Sequence, residues 1–303
     1  MQLKTIKKVL VTKLEDWLTS ITDVNLRKEV RDNLLVSGGS ITSMLLNIPV
    51  NDYDIYIKDM NVLIRLAKYY VNSDEVLDGR KRKEYLKKHT EISNYNIEDD
   101  SSEMAVRLKN LKEDQVKLNI QSIGERKDLV KDAGGVPLKY QVSFLSQNAI
   151  SLTDDIQIVL RFHGDAEQIH KTFDFIHATN YFTFEDGLVT NKAALESILT
   201  KCLKYQGSLY PLTSIIRLKK FIHRGWTINA GEMLKMMFQV SELNLKDPQV
   251  LEEQLIGVDV AYFAVLIDIL RGMNPEKLDS HSLNTIIDRV FNEYDEPNDQ
   301  EPV

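Results

Sequence analysis

The 303-residue chain has a single cysteine, Cys202, and only six histidines, scattered along its length. A lone cysteine excludes an internal disulfide framework. Without clustered Cys and His there is no zinc-ligand pattern either, and both absences suit a reducing cytosol. Also missing is any apolar run near the roughly 18 residues that can span a bilayer. The N-terminus, MQLKTIKKVLVTKLEDWL, instead alternates charge with hydrophobes as an amphipathic helix does. These features predict a cytoplasmic chain with no membrane partner. Cations are the minority charge, 38 Lys and Arg against 45 Asp and Glu, for a net charge of -7. That balance argues against an architectural nucleic-acid binder, whose affinity for phosphate backbones rests on clustered Lys and Arg. What remains, 43% hydrophobic and 27% charged residues, is a globular composition long enough for one large or two ordinary domains.

The most informative stretch is Leu35 to Ile57, LVSGGSITSMLLNIPVNDYDIYI. An apolar run ends in Gly38-Gly39, small residues lead into Met44-Leu45-Leu46, Pro49 stops that segment, and a strand follows. The strand period of two puts Asp52, Asp54 and Tyr56 on one face and Tyr53, Ile55 and Ile57 on the other, towards a core. Adjacent carboxylates repel each other unless they are solvated or share a cation. Mg²⁺ suits them, with Mn²⁺ as a substitute, because it takes one or two carboxylates and completes its shell with water and substrate phosphates. Two such ions can stabilise attacking and leaving oxygens together, so a two-metal site is expected at Asp52 and Asp54. Backbone N–H groups at Gly38 and Gly39, with Ser40, Ser43 and a helix N-terminus behind them, can approach phosphate oxygens. A lone GG is ordinarily a turn and a lone DxD a solvated strand end. Coupled in one unit of strand, turn, helix and strand, they point to an NTP site.

This segment resembles the head-domain signature of the tRNA nucleotidyltransferase and bacterial poly(A) polymerase class, within the DNA polymerase β-like nucleotidyltransferase superfamily. Gly38-Gly39, Leu45-Leu46 and Asp52/Asp54 fall on that signature at matching spacing, while Thr42-Ser43 stands where the family has Arg-Asp. The overall wording is also similar to nucleotidyltransferase-like proteins of phages and prophages. The resemblance is strong over about 35–64 and weaker over about 150–230. It implies that a strand near Ile156 carries a third carboxylate and an arginine; aligned so, Gln157 takes the carboxylate position and Arg161 keeps the arginine. Glutamine is a poor substitute for an anionic ligand. Two carboxylates then suffice, or Asp155 or another acid serves, or activity is reduced. For Arg161 the plain alternative is a surface salt-bridging residue. Asp174-Phe175 match the pair that reads the sugar, and Asp174 would accept a ribose hydroxyl, or else cap a helix. His177 reads as structural.

The segment from Tyr210 to Ile228 resembles the family's neck. Its helix places Ile215, Leu218, Phe221 and Ile222 on one stripe and gathers Arg217, Lys219, Lys220, His223 and Arg224 on the other side. Arg217 and its neighbours would face substrate, or form an ordinary solvated face. The acidic and basic pair that reads the base edge is replaced by Tyr210-Pro211 and Thr213-Ser214, so Tyr210 would stack on a base and the ordered C-then-A choice of a CCA-adding enzyme is not expected.

The remaining chain reads as packing. Two helices are expected in residues 1–33, the second capped by Asp23, and another over Asn61 to Val71. A charged insertion lies near 73–115, strands recur at Val116–Ile120 and Tyr140–Leu145, and helices dominate beyond Thr190, with Asn229 and Glu232 as a capping-box variant. The expected architecture is α/β: a nucleotidyltransferase head with a small mixed sheet in residues 1–188, an all-α neck and body in 189–294, and a disordered acidic tail in 295–303. The implied function is metal-dependent transfer of a nucleoside monophosphate from an NTP to an acceptor hydroxyl, with an RNA 3′ end, such as that of tRNA, as acceptor. The alternatives are nucleotidylation of a protein, or a non-catalytic binding or assembly protein that keeps the head fold.

Overall fold

The computed structural model describes residues 1–72, 90–95, 115–120, 139–146, 148–255, 261–273 and 280–294. The expected tail 295–303 and most of the charged insertion lie outside them. Two units divide between Lys204 and Tyr205, later than the expected boundary at 188/189. The reason is the helix Lys192–Thr200, which packs on elements of the first unit rather than beginning the second.

The first unit opens with α1 (Leu3–Ser20), in which Ile6, Leu10, Leu14, Trp17 and Leu18 recur at helical spacing and are buried. In α2 (Val24–Asn33) Asp23 is the N-cap: its carboxylate accepts from the Asn25 and Leu26 N–H groups, each at 3.0 Å. β1 (Leu34–Ser37) is buried at every residue, as a central strand covered on both faces must be. α3 (Gly39–Leu46) follows and ends at Asn47 in a left-handed conformation, φ 58°. β2 (Tyr53–Ile57) and α4 (Met60–Asn72) complete the first half. β3 (Thr90–Tyr95) and β4 (Gln115–Ile120) form an antiparallel pair by themselves.

Next come β5 (Val142–Leu145), β6 (Ala149–Leu152), β7 (Ile156–Val159), α5 (Ala166–His170), a 3₁₀ turn at Ile176–Ala178, β8 (Tyr181–Thr183), β9 (Gly187–Val189) and α6 (Lys192–Thr200). Seven strands make one mixed sheet in the order β5-β6-β7-β2-β1-β8-β9, antiparallel except for β2 beside β7. One face carries the main core, built from α1, α2, α3 and α4 residues over Leu34, Val36, Tyr53, Ile55 and Ile57. The other face has a smaller apolar cluster of Leu35, Tyr56 and Ile169, flanked by Phe162, Phe173 and Tyr181. The alternation expected in β2 is therefore observed: Tyr53, Ile55 and Ile57 go to the main core, and Tyr56 shares the other face with Asp54.

The second unit is helical apart from the short Thr227–Ile228 strand among its described residues: α7 (Pro211–His223), α8 (Ala230–Ser241), α9 (Pro248–Gln254), α10 (Ala261–Arg271) and α11 (Ser280–Tyr294). Leu251, Leu255, Leu266, Ile267, Leu270 and Val290 form its core, with Leu212 and Ile216 of α7 against it. Gly225, at φ 76°, follows the end of α7 as glycine's freedom there allows, and Trp226 packs edge-on to Phe221 at 6.0 Å. Asn229 caps α8 through the Glu232 N–H, but the Glu232 carboxylate turns to the Tyr205 N–H and to Lys235 instead of closing a capping box. No helix among the described residues is long and apolar enough to cross a membrane.

The two helices flanking the main core are tied by Trp17 Nε1, which donates to the Tyr70 hydroxyl at 2.8 Å inside the core. Trp17→Phe removes that donor and leaves the hydroxyl without it, at a cost of about 1–3 kcal/mol. Urea unfolding should show the loss; a stability unchanged from wild type would mean that the bond contributes nothing.

Candidate functional site

β1 and β2 run antiparallel, with Val36 opposite Ile55, so the end of β1 and its glycine turn lie beside the start of β2 and its aspartates. Since β2 runs parallel to β7, with Tyr53 opposite Ile156 and Asp54 opposite Gln157, the start of β7 comes to the same place. Topology thus gathers Gly38-Gly39, Asp52, Asp54 and Gln157 at one end of the sheet.

Gly38 takes φ 99°, and a Cβ added there would stand 3.0 Å from Asp54 Oδ2. Only a residue without a side chain lets the turn close over that carboxylate. Gly39 is different: it is exposed, and an added Cβ would meet nothing within 4 Å. The open space lies at the N-terminus of α3, where the first N–H groups have no acceptor in the helix and the helix dipole favours an anion. Ser43 sits one turn further along the same helix face and is half-buried.

Two expectations about phosphate donors change. The Gly38 N–H is already committed, donating to the Ala178 carbonyl at 3.1 Å. Ser40 is 2% exposed, with its hydroxyl sealed inside, because the helix turns that side chain into the core next to Ile41; it offers an anion its backbone N–H alone. The free approach therefore narrows to Gly39 and the first turn behind it.

A polar network missed in the sequence holds this turn. The buried Ser37 hydroxyl lies 2.9 Å from His170 Nε2, 2.9 Å from the Asn180 carbonyl and 3.2 Å from the Ala178 carbonyl. Thr42, at the position where the resembling family has Arg, is 6% exposed and donates its hydroxyl to the His177 carbonyl at 3.0 Å. The segment that carries Asp174-Phe175 is thereby fastened to the glycine turn. Phe175 is buried, Asp174 is half-buried, and Phe175 rather than Asp174 is the N-cap of the 3₁₀ turn. Burial holds His170 and His177 neutral, pushing each down to about 4, in His177 against the pull of the Asp174 charge. His170 is 133 residues from Ser37, so no local pattern announces the pair.

Asp52 is exposed and Asp54 half-buried. Such a pair, next to a glycine cradle that a Cβ would fill, fits a Mg²⁺ ion whose other ligands are water and phosphate oxygens. Asp155 is exposed at φ 56°, and its charge, after burial itself, raises the phenol of Tyr53. Gln157 is half-buried and its amide donates to Ser151 Oγ at 3.2 Å. Among the described residues no group of three or more His, Cys, Asp or Glu is placed to share a metal ion. Arg161 is 3% exposed, with its guanidinium 5.9 Å from the Phe162 ring centroid, and so is not the surface arginine that was the alternative.

Tyr210 and Arg217 belong to the second unit. Tyr210 is half-buried as the N-cap of α7, and Arg217 is exposed with Lys220 and Arg224 on the same stripe. Thr213 and Ser214 are buried and bond within the second unit, Thr213 to the Gln254 carbonyl of a neighbouring helix and Ser214 to the Tyr210 carbonyl.

In fold the chain is of the mixed α/β kind and is similar to CCA-adding enzymes. One, the Thermotoga maritima enzyme complexed with tRNA, is 14% identical over 94% of this chain and 57% of that one, with a TM-score of 0.38. The Bacillus stearothermophilus CCA-adding enzyme in complex with CTP is 12% identical over 84% of this chain and 51% of that one, at a TM-score of 0.36. The chain belongs to the Gabija anti-defense 2 family, whose profile matches residues 8–201, all within the first unit. A curated relative, Gabija anti-defense 2 of Bacillus phage SPbetaL7, is 21% identical over 276 residues, 90% of this chain and 52% of that protein. The chain spans about half the length of the relatives it matches.

The two glycines should separate in their effects. Gly38→Ala forces a side chain into a positive φ and against Asp54, at a cost of about 1–2 kcal/mol; Gly39→Val should leave stability within about 0.5 kcal/mol yet block NTP binding. Thermal melting and nucleotide titration check both, and full NTP affinity in folded Gly39→Val would remove the phosphate role.

The histidines predict a pH dependence. Unfolded, each protonates near 6.5; folded, each stays neutral down to about 4. Across that window the unfolded chain binds more protons, so stability falls as pH drops from about 6.5 to about 4. Urea midpoints measured across that range should decline, with a shallower slope in His177→Gln; equal slopes would discount His177.

Proposed function

We propose that this chain transfers a nucleoside monophosphate from an NTP to an acceptor hydroxyl and releases pyrophosphate. The observation that carries the reading is the approach of Gly38 to Asp54, which couples an open helix N-terminus at Gly39 to the carboxylate pair. The triphosphate lies over Gly39 and the first turn of α3, where N–H groups and the helix dipole meet it. Asp52 and Asp54 hold the divalent ion, which neutralises phosphate charge and stabilises the leaving pyrophosphate. Ser37 and Thr42 keep the turn and the Asp174 segment in register, so Asp174 is available to the sugar. The exposed Arg217, in the second unit, supplies positive charge to the acceptor, while Arg161 is held inside the first unit.

For the acceptor, the stripe of Arg217, Lys220 and Arg224 on α7 supports an RNA 3′ end, since exposed cations at that spacing follow a phosphate backbone. The family's anti-defense description favours a second reading, in which the acceptor is a hydroxyl on a protein of the defending host. With Thr213 and Ser214 engaged within the second unit, Tyr210 meets a base by stacking, which tolerates different bases.

Incubation with each labelled NTP and Mg²⁺, with RNA or with host lysate, assigns the acceptor by where the label goes. Asp52→Asn and Asp54→Asn should each cut transfer at least a thousandfold, on the order of 4 kcal/mol in barrier, while the fold persists. Normal transfer by either variant, or label on neither acceptor in wild type, would overturn the proposal.

A further inference from the structure

We propose that the outward face of α8 is the surface through which two copies of this chain pair. It lies in the second unit, on a helix that the proposed reaction does not use.

α8 is amphipathic the wrong way round for a helix in water. Ala230, Met233, Leu234, Met237, Phe238 and Ser241 fall on one stripe at helical spacing, all exposed and none charged. Met233 is 44%, Leu234 51%, Met237 62% and Phe238 68% exposed, so four large apolar side chains adjoin one another in solvent. The polar residues are engaged on the opposite side. There the Glu232 carboxylate accepts from the Tyr205 N–H at 2.6 Å, and the Lys235 ammonium donates to the Tyr205 carbonyl at 2.7 Å. Gln239 exchanges hydrogen bonds with the Ser208 backbone at 2.8 and 3.2 Å. Glu232 and Lys235 are the only charges on α8, and they pair with each other. The helix cannot roll its apolar stripe inward without breaking these bonds.

An uncharged stripe suits a second copy of itself. Across a two-fold axis the same patch serves both partners, so a charged face would set like charges together, and this one has none to oppose. The order of sizes fits as well. With two α8 helices antiparallel and the axis level with the midpoint of Lys235 and Met236, Met233 faces Phe238, Leu234 faces Met237, and the small Ala230 faces the small Ser241 at each end. Thioether against ring is a favourable contact in its own right. The antiparallel setting also lays the positive end of each helix dipole beside the negative end of the other. A stripe of four such side chains falls within the about 300–600 Å² that the largest apolar patch on a typical monomer reaches. Two of them face to face bury about 1,000 Å², the low end for specific contact between proteins, which makes the dimer a reversible one.

Sedimentation velocity of the purified protein, from low to high micromolar concentration, tests the pairing. Wild type should pass from monomer to dimer as concentration rises. Met237→Glu and Leu234→Lys should each weaken dimerisation by at least about tenfold, because each puts an unpaired charge into the contact; both positions are exposed, so both variants should melt like wild type. Mixed together, the two variants should pair again, since residue 237 of one copy meets residue 234 of the other and the introduced charges are opposite. A wild type that remains monomeric, whether free or floating with phosphatidylglycerol vesicles, would overturn the inference, and so would a dimer that neither variant weakens or a mixture that does not recover.

Discussion

The closeness of Gly38 to Asp54 is the constraint on which the first unit is arranged. A carboxylate 3.0 Å from where a Cβ would stand would have to shift to admit one, and the positive φ of the turn independently favours glycine. Everything around the turn serves to hold that approach. β1 is buried on both faces, which fixes its height in the sheet, and the Ser37 hydroxyl and Gly38 N–H both reach the Ala178 carbonyl. The turn is thus restrained from the sheet side and from the 3₁₀ segment at once.

Such double restraint is what a phosphate site needs. Donors that must rearrange to meet an anion lose much of their advantage, whereas donors already aimed at it do not. Here the donors that could have wandered are employed structurally: Gly38 by Ala178, and Thr42 by His177. The face left for the proposed triphosphate is correspondingly small, and Asp54 borders it.

Much of this was legible in the sequence where periodicity or local chemistry carries the signal. The alternation of β2, the Asp23 cap and the amphipathic stripe of α1 depend on neighbours within a few residues, and each is found as expected. The predominance of helices expected beyond Thr190 is also found among the described residues. Hidden from that reading were features set by tertiary pairing. Ser37 meets His170 across 133 positions, Ser40 is turned inward by the packing of α3, and the Glu232 carboxylate accepts from the Tyr205 N–H, 27 positions away. The late division at Lys204 belongs with these, since only the packing of α6 on the 3₁₀ turn and α3 reveals which unit owns it.

The parallel pairing of β2 with β7 has a consequence in chain entropy. Asp54 and Gln157 are neighbours, yet the chain between them passes through all of α4 to β6 before returning to the same sheet. Closing a longer loop costs only about 0.6 kcal/mol for each doubling of its length. The length of chain between the two strands therefore has little effect on the cost of joining them. What it does alter is the time needed for two distant strands to find each other, since pairings remote in sequence form late. The carboxylate pair and its glutamine neighbour come together only when that long closure is made, so the site is among the last parts of the first unit to assemble.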